Sequence, residues 1–252
     1  MVFTIIINVI LFSLFVYIGY ILKQNWRFTF IFGIFLILAS ANVFYYSHYI
    51  DNLDFYYEYR TLFWADFTPS FSGFLVGHTL KISIFIYRFS LLILFLFISF
   101  CDIVGPWAKL IITPMNYAAL PNRWVNGICI QSTGTCGPCS LANIFKHSGI
   151  LTSENELAKE AFTTISGTES WYLARCARRR GFKTTFIFDK NHLEKNSIIG
   201  ISFGKTGHFV AIVDIMDEWL HIIDSRMGLE KVKKSEFHQK YKFEGMSLVL
   251  QK

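Results

Sequence analysis

Proline is scarce, and none follows Pro138 in a chain of 252 residues. Redox sites built on two cysteines at a helix start rely on a proline contributed later in the chain, so that chemistry is disfavoured here. Charge is missing from two long stretches, Val2–Leu22 and Phe28–Ile50, and a solvated surface helix would carry it. Five cysteines without regular spacing give no disulfide framework. His147, His192, His221 and His238 lack the spacing of metal ligands, so no metal and no cofactor is expected. Gly200-Ile-Ser-Phe-Gly204-Lys205-Thr206 is one residue short of a phosphate-binding loop and leads into a strand rather than a helix, which excludes nucleotide binding there.

The charge is concentrated in one half. Residues 1–105 hold five Lys/Arg and five Asp/Glu, whereas residues 106–252 hold 19 against 13. An apolar membrane section followed by an aqueous domain has this pattern. Three stretches are long enough to span a bilayer, 2–22, 28–50 and 82–104, since about 20 apolar residues suffice. Arg88 is expensive at mid-bilayer and is expected near an interface. Residues 61–80, with Asp66, Pro69, Gly73 and Gly77, are expected to be interfacial. The first stretch lacks a basic leading region and a cleavage site, so it reads as a retained anchor. Lys23 and Arg27 inside, with three spans, place the C-terminal domain in the cytoplasm as well, whereas two spans place it on the other side. The expectation is a multi-pass membrane protein whose partner is the lipid bilayer.

Pro106, Pro114 and Pro121 mark residues 106–123 as an extended linker. Beyond it, residues 124–252 form the aqueous domain. A helix is expected from Cys136 to His147. A second follows the capping box Ser153–Glu156 and runs to about Phe162. A third covers Glu169–Arg180, capped by Thr168. The period then changes to that of strands at Lys183–Phe188, Ile198–Phe203, His208–Ile215, Trp219–Asp224 and Ser247–Leu250, with a short helix at Lys234–Tyr241. Helices first and strands afterwards imply an α+β fold, preceded by an all-α transmembrane region. Arg178–Arg180 and Lys231, Lys233 and Lys234 read as solvated faces. No nucleic-acid-binding motif accompanies them. Trp171 and Tyr172 read as core.

The chemistry is carried by Gln131-Ser-Thr-Gly-Thr-Cys136-Gly-Pro-Cys139. A cysteine at a helix N-terminus gains from the dipole and free N–H groups, which stabilise thiolate. Gln131 can bring an amide donor to the same place, joining the Cys136 N–H at an oxyanion. His208 starts an apolar strand and is the candidate base. Asp224 ends the next strand and is the candidate orienting acid. A tight hairpin about Met216-Asp217 pairs residues whose numbers sum to about 432–433, which sets His208 opposite Asp224. Val210/Ile222 and Ile212/Leu220 then stack behind them on one face. The carboxylate fixes the imidazole tautomer and leaves the other ring nitrogen to the thiol.

Gln131…Cys136-Gly-Pro, Gly207-His208-Phe-Val and Ile223-Asp224 together resemble the bacteriocin-processing cysteine peptidases of the papain clan, which clip leader peptides, usually after Gly-Gly. The stretch Ile165–Arg175 also resembles membrane-attached relatives. The resemblance covers about residues 124–252. It implies a papain-like fold with helices packed on an antiparallel sheet, and a membrane-tethered endopeptidase acting on peptide or protein substrates. It also implies a transporter partner on a separate chain. Two alternatives stay open. One is a catalytically inactive peptide-binding module on the same fold, because the family usually places the cysteine six positions after the glutamine where this chain has it five positions after. The other is a dithiol oxidoreductase using Cys136-Gly-Pro-Cys139. Thr135 in place of the usual tryptophan counts against it, as does the lack of a preceding βαβ unit. Cys139, one turn into the helix, is then buried and inert.

Overall fold

The computed structural model describes residues 2–22, 53–203 and 206–252, with scattered positions between 27 and 40. It divides into two compact units. One contains Met1–Asp51 and Leu62–Ile111, the other Asn52–Thr61 and Ile112–Lys252. Helices before Gln131–Cys139 include α1 (Val2–Ile21), α2 (Asp54–Thr61), α3 (Ser72–Thr79) and α4 (Phe85–Ile112).

The first unit is built from α1, α3 and α4. Phe3–Ile21 in α1 and Phe85–Gly105 in α4 have mean hydropathies of 2.3 and 2.0 and are long enough to cross a bilayer. The expected span at 28–50 lies for the most part outside the described residues. Arg88 falls in the first turn of α4, with its guanidinium over the Phe85 ring. Residues 61–80 fold as two 3-10 turns, Phe63–Asp66 and Thr68–Phe71, followed by α3. The backbones of α1 and α3 approach so closely that a Cβ on Gly73 or Gly77 would collide with the carbonyl oxygens of Phe12 or Val16. Asn8, buried in α1, donates to Asp66 O at 2.9 Å and accepts from Ser70 Oγ at 2.6 Å. Its polar atoms are thus satisfied where water is excluded. The chain past Pro106 was expected to be extended, but it continues as helix to Ile112.

The second unit is α+β. Its small hairpin pairs β1 (Arg123–Val125) with β2 (Ile128–Ile130). Three helices follow, α5 (Cys136–His147), α6 (Glu154–Glu160) and α7 (Ser170–Arg179). Then come β3 (Lys183–Phe188), β4 (Ser197–Phe203), β5 (Thr206–Met216), β6 (Trp219–Asp224), β7 (Gly228–Lys233), α8 (Lys234–Lys240) and β8 (Lys242–Gln251). The large sheet is antiparallel, in the order β3-β8-β4-β5-β6-β7. Ile199, Val210, Ile212, Leu220, Ile222 and Val232 pack with Phe237 of α8 in one core. Residues two apart on a strand share a face, so these positions line one side of the sheet.

Several local expectations need correction. α7 starts at Ser170 with Glu169 as its N-cap, because the Thr168 hydroxyl is bonded to Thr163 Oγ1 at 2.7 Å. The last strand is longer than Ser247–Leu250. A strand not foreseen, β7, holds Lys231 and Lys233. The β5–β6 register also differs. Met216 pairs with Trp219, a sum of 435, and Ile212 pairs with Ile222, a sum of 434, rather than 432–433, because the two turn residues are Asp217 and Glu218. A β-bulge at Val213 separates these two registers. One extra residue reverses which side chains share a face. Without it, Asp224 would share a face with Ala211. With it, Asp224 shares the face of Val210 and His208, which it meets diagonally.

Candidate active site

Cys136 is the first residue of α5, with Thr135 as N-cap. The start of α5 is seated by close packing. A Cβ on Gly137 would lie 2.9 Å from Leu173 Cδ1 and 3.2 Å from Phe209 Cδ2, and Ser140 Oγ donates to Phe209 O at 3.1 Å. Glycine at 137 therefore lets the helix start rest against α7 and β5, beside His208. The Cys136 thiol is half-buried and within hydrogen-bond reach of the His208 imidazole.

His208 is 6% exposed and Asp224 is 5% exposed. His208 Nε2 lies 3.0 Å from Asp224 Oδ1, which leaves Nδ1 for Cys136. Asp224 also accepts from the Arg226 backbone N–H at 2.8 Å and lies 3.4 Å from Arg226 Nη2. Burial opposes charge on both residues. On His208 the hydrogen bonds to Asp224 and Cys136 outweigh burial, and its pKa is raised to about 8. On Asp224 burial is outweighed by the His208 hydrogen bond and the Arg226 N–H, so its pKa is lowered to about 2. The geometry suits an ionised carboxylate supporting an imidazolium beside a thiol.

Gln131 follows β2 directly. Its backbone N–H donates to Ser225 O at 3.0 Å, and its Oε1 accepts from Ser225 Oγ at 2.7 Å. The tripeptide Asp224-Ser225-Arg226 thus touches both His208 and Gln131. Sequence reasoning missed Ser225 and Arg226. Their only signal was adjacency to Asp224.

Cys139 turns its thiol toward Cys129, with the two sulfurs 2.8 Å apart and both residues fully buried. That hydrogen bond, with burial, pushes the Cys139 thiol up. This engages Cys139 away from Cys136 and weakens the dithiol reading. Trp171 and Tyr172 are core, as expected, at 1% and 3% exposure. The three arginines expected on a solvated face are ion-paired: Arg178 with Glu58, Arg179 with Glu160, and Arg180 with Glu156 and Glu160.

The family model of the Peptidase C39 family matches residues 126–252, which contain all four of these functional candidates. The chain belongs to the Peptidase C39 family. The papain-like C39 domain is therefore the second unit's helices on an antiparallel sheet. Two curated relatives are an uncharacterized protein of Methanothermobacter marburgensis, 30% identical over 42% of this chain and 77% of its own length, and one of Methanothermobacter thermautotrophicus, 31% identical over 44% and 79%. Solved C39 neighbours include the peptidase domain of Streptococcus ComA, a bi-functional ABC transporter involved in quorum sensing. It is 24% identical, with a TM-score of 0.43, and the match covers 49% of this chain and 95% of that one. Another is a double glycine motif protease from an AMS/PCAT transporter, crystallised with its leader peptide. It is 19% identical, with a TM-score of 0.42 and coverage of 49% and 89%.

Proposed function

We propose that this C39 member is a membrane-tethered cysteine endopeptidase that cleaves leader or other small peptides through Cys136, His208 and Asp224. The observation that carries the reading is the chain of contacts from the Cys136 thiol to the His208 ring, and from His208 Nε2 to Asp224 at 3.0 Å, at a helix N-terminus. The Cys136 thiolate attacks the peptide carbonyl carbon, and the carbonyl electron pair moves onto oxygen. The oxyanion is held by the Cys136 N–H and the Gln131 amide. As the C–N bond breaks, His208 gives its proton to the leaving amine and a thioester remains. His208 then takes a proton from water, which attacks the thioester and releases the thiolate. Asp224 keeps the ring in the required tautomer throughout.

In this reading residues 124–252 form the catalytic domain and residues 1–105 the anchor, joined through 106–123. α1 and α4 cross the bilayer, with a third span at 28–50, and the catalytic domain faces the cytoplasm. The substrate reaches it from that side, and a separate transporter carries the product. The apolar length of both helices supports spanning. Retention in the membrane pellet after alkaline carbonate extraction is the expected result. Release into the supernatant removes the anchor.

Catalysis is tested by intact-mass detection of iodoacetamide adducts at neutral pH. A single adduct on Cys136, lost in His208→Ala, is expected, together with cleavage within a library containing Gly-Gly leader peptides. Equal labelling of all the thiols would sink the reading. Peptide binding without cleavage would favour the inactive-module alternative, which the short Gln131–Cys136 spacing supports.

A further inference from the structure

Gln131 stands five positions before Cys136, so little chain is available to bring its amide to the thiol. The loop between them is held at both ends. At one end, Ser225 grips Gln131 twice, through its backbone carbonyl at 3.0 Å and its hydroxyl at 2.7 Å. Ser225 is fully buried, so its hydroxyl has no water to exchange with and stays on Oε1. At the other end, the buried Glu154 accepts through Oε1 from Ser132 N–H at 2.7 Å and from Thr135 Oγ1 at 2.6 Å. A buried carboxylate is costly unless hydrogen-bonded. Here it braces the residue after Gln131 and the residue before Cys136.

A primary amide has one acceptor oxygen and two N–H donors. With Oε1 on Ser225, the Gln131 Nε2 group finds no acceptor among the described residues and is available to an oxyanion. A serine hydroxyl can donate or accept, so the sense of the amide is chosen by its surroundings. An amide oxygen facing a thiolate or oxyanion is repelled, and an N–H is attracted. Ser225 then stabilises the favoured sense by donating to the oxygen.

We propose that Ser225 is the positioning residue of the oxyanion site, aiming the Gln131 Nε2 group so that the shortened spacing still serves catalysis. The proposal rests on the peptidase reading above. It also gives the turn after β6 a double role: Asp224 orients the base and the next residue orients the oxyanion donor. One short segment thereby fixes both halves of the machinery relative to each other.

The test uses the full-length protein and the peptide that it cleaves fastest in the Gly-Gly library. Wild type, Ser225→Ala, Gln131→Ala and the double variant are compared. Two quantities are read for each, kcat and KM for that peptide and the rate of iodoacetamide alkylation at Cys136. Alkylation displaces iodide and forms no oxyanion, so it reports Cys136 and His208 alone. Ser225→Ala is expected to lower kcat roughly 10- to 100-fold, less than the roughly 100- to 1000-fold for an oxyanion donor removed outright because the amide is misaimed rather than lost, with KM and the alkylation rate changed less than about twofold. In the Gln131→Ala background the same substitution is expected to change kcat less than about twofold, because it acts through Gln131. An unchanged kcat in Ser225→Ala overturns the proposal, as does a full effect that persists without Gln131. A parallel fall in alkylation would assign the loss to a disturbed fold and overturns it equally. Wild-type protein that shows His208-dependent alkylation but cleaves no peptide overturns the endopeptidase reading, and the proposal with it.

Discussion

At the scale of single residues, the proton on His208 decides the pH behaviour. Its pKa is raised to about 8, and two of the causes are the hydrogen bonds to Asp224 and Cys136. In the proposed mechanism the leaving amine takes its proton from the imidazolium, so kcat/KM is expected to fall as pH rises through about 8. Asp224→Asn removes one raising contribution while burial still opposes the charge. The alkaline limb of kcat/KM is therefore expected to move to lower pH, which a pH–rate profile of the variant checks. A limb that stays in place would separate Asp224 from the base. Stability carries the opposite sign at the carboxylate. Asp224 is lowered from 3.8 to about 2, so its contribution is present above about pH 4 and is lost as pH falls through about 2. At 1.36 kcal/mol per pKa unit this amounts to roughly 2 kcal/mol. Chemical denaturation across pH 4 to 2 is expected to show wild type losing more stability than Asp224→Asn, by about that amount.

At the scale of elements, α5 is held where Gly137 meets Leu173 and Phe209. A Cβ at 2.9 Å from Leu173 Cδ1 must push something aside, so Gly137→Ala is expected to destabilise by about 1–3 kcal/mol. Adding Leu173→Ala should recover part of the loss that Gly137→Ala alone causes, measured as the difference between backgrounds in thermal unfolding. α5 was readable because a cysteine start, apolar periodicity and Ser148-Gly149 mark its two ends. β3 and β6 were readable to the residue because each is a short run rich in β-branched, aromatic and aliphatic residues bounded by Gly181 and Asp189 or by Asp217 and Ser225. The β5–β6 register was not, because the turn lies at Asp217-Glu218 rather than Met216-Asp217 and the one-residue bulge at Val213 leaves no mark in composition. The β1–β2 hairpin did leave one. Asn126 and Gly127 both take positive φ, 50° and 77°, in a two-residue turn, and Asn-Gly between short strands is a strong hairpin signal. β7 stayed hidden because its lysines and glutamate read as a solvated face. Of the candidate site, Cys136, His208, Asp224 and Gln131 carry side-chain types and spacings that point to their chemistry. Ser225 does not, since its meaning depends on β2 lying against the turn after β6.

At the scale of the whole molecule, the unit that contains the C39 domain recruits a segment from far up the chain. Asn52–Thr61 belongs to it, although residues on either side of that segment belong to the other unit. Within this segment, Tyr57 of α2 packs against Trp171, Phe186 and Phe188, with centroids 5.7, 5.2 and 4.9 Å apart. Glu58 does two things at once. Its Oε1 accepts from the Phe186 N–H at 2.9 Å, and its Oε2 pairs with Arg178 at 2.7 Å. Phe186 lies on β3, an edge strand of the sheet. Arg178 in turn donates to Thr184 O at 3.3 Å. Together the ion pair occupies the outward donor of Phe186 and the outward acceptor of Thr184, as a neighbouring strand would, and so blunts an edge that could otherwise pair with another chain. No local pattern in residues 52–61 announces this, because the partners lie more than a hundred positions away. Glu58→Ala in the intact chain leaves a backbone N–H and a guanidinium without that carboxylate. The expected cost is about 1–3 kcal/mol, read as a lower midpoint in thermal unfolding followed by tryptophan fluorescence. Glu58→Gln keeps an acceptor for the Phe186 N–H but loses the charge facing Arg178, so its midpoint should fall between the two. Tyr57→Ala removes the aromatic packing and is expected to cost more, about 3–5 kcal/mol. If all three variants unfold at the wild-type midpoint, α2 is a passing connector and the C39 domain is complete without it.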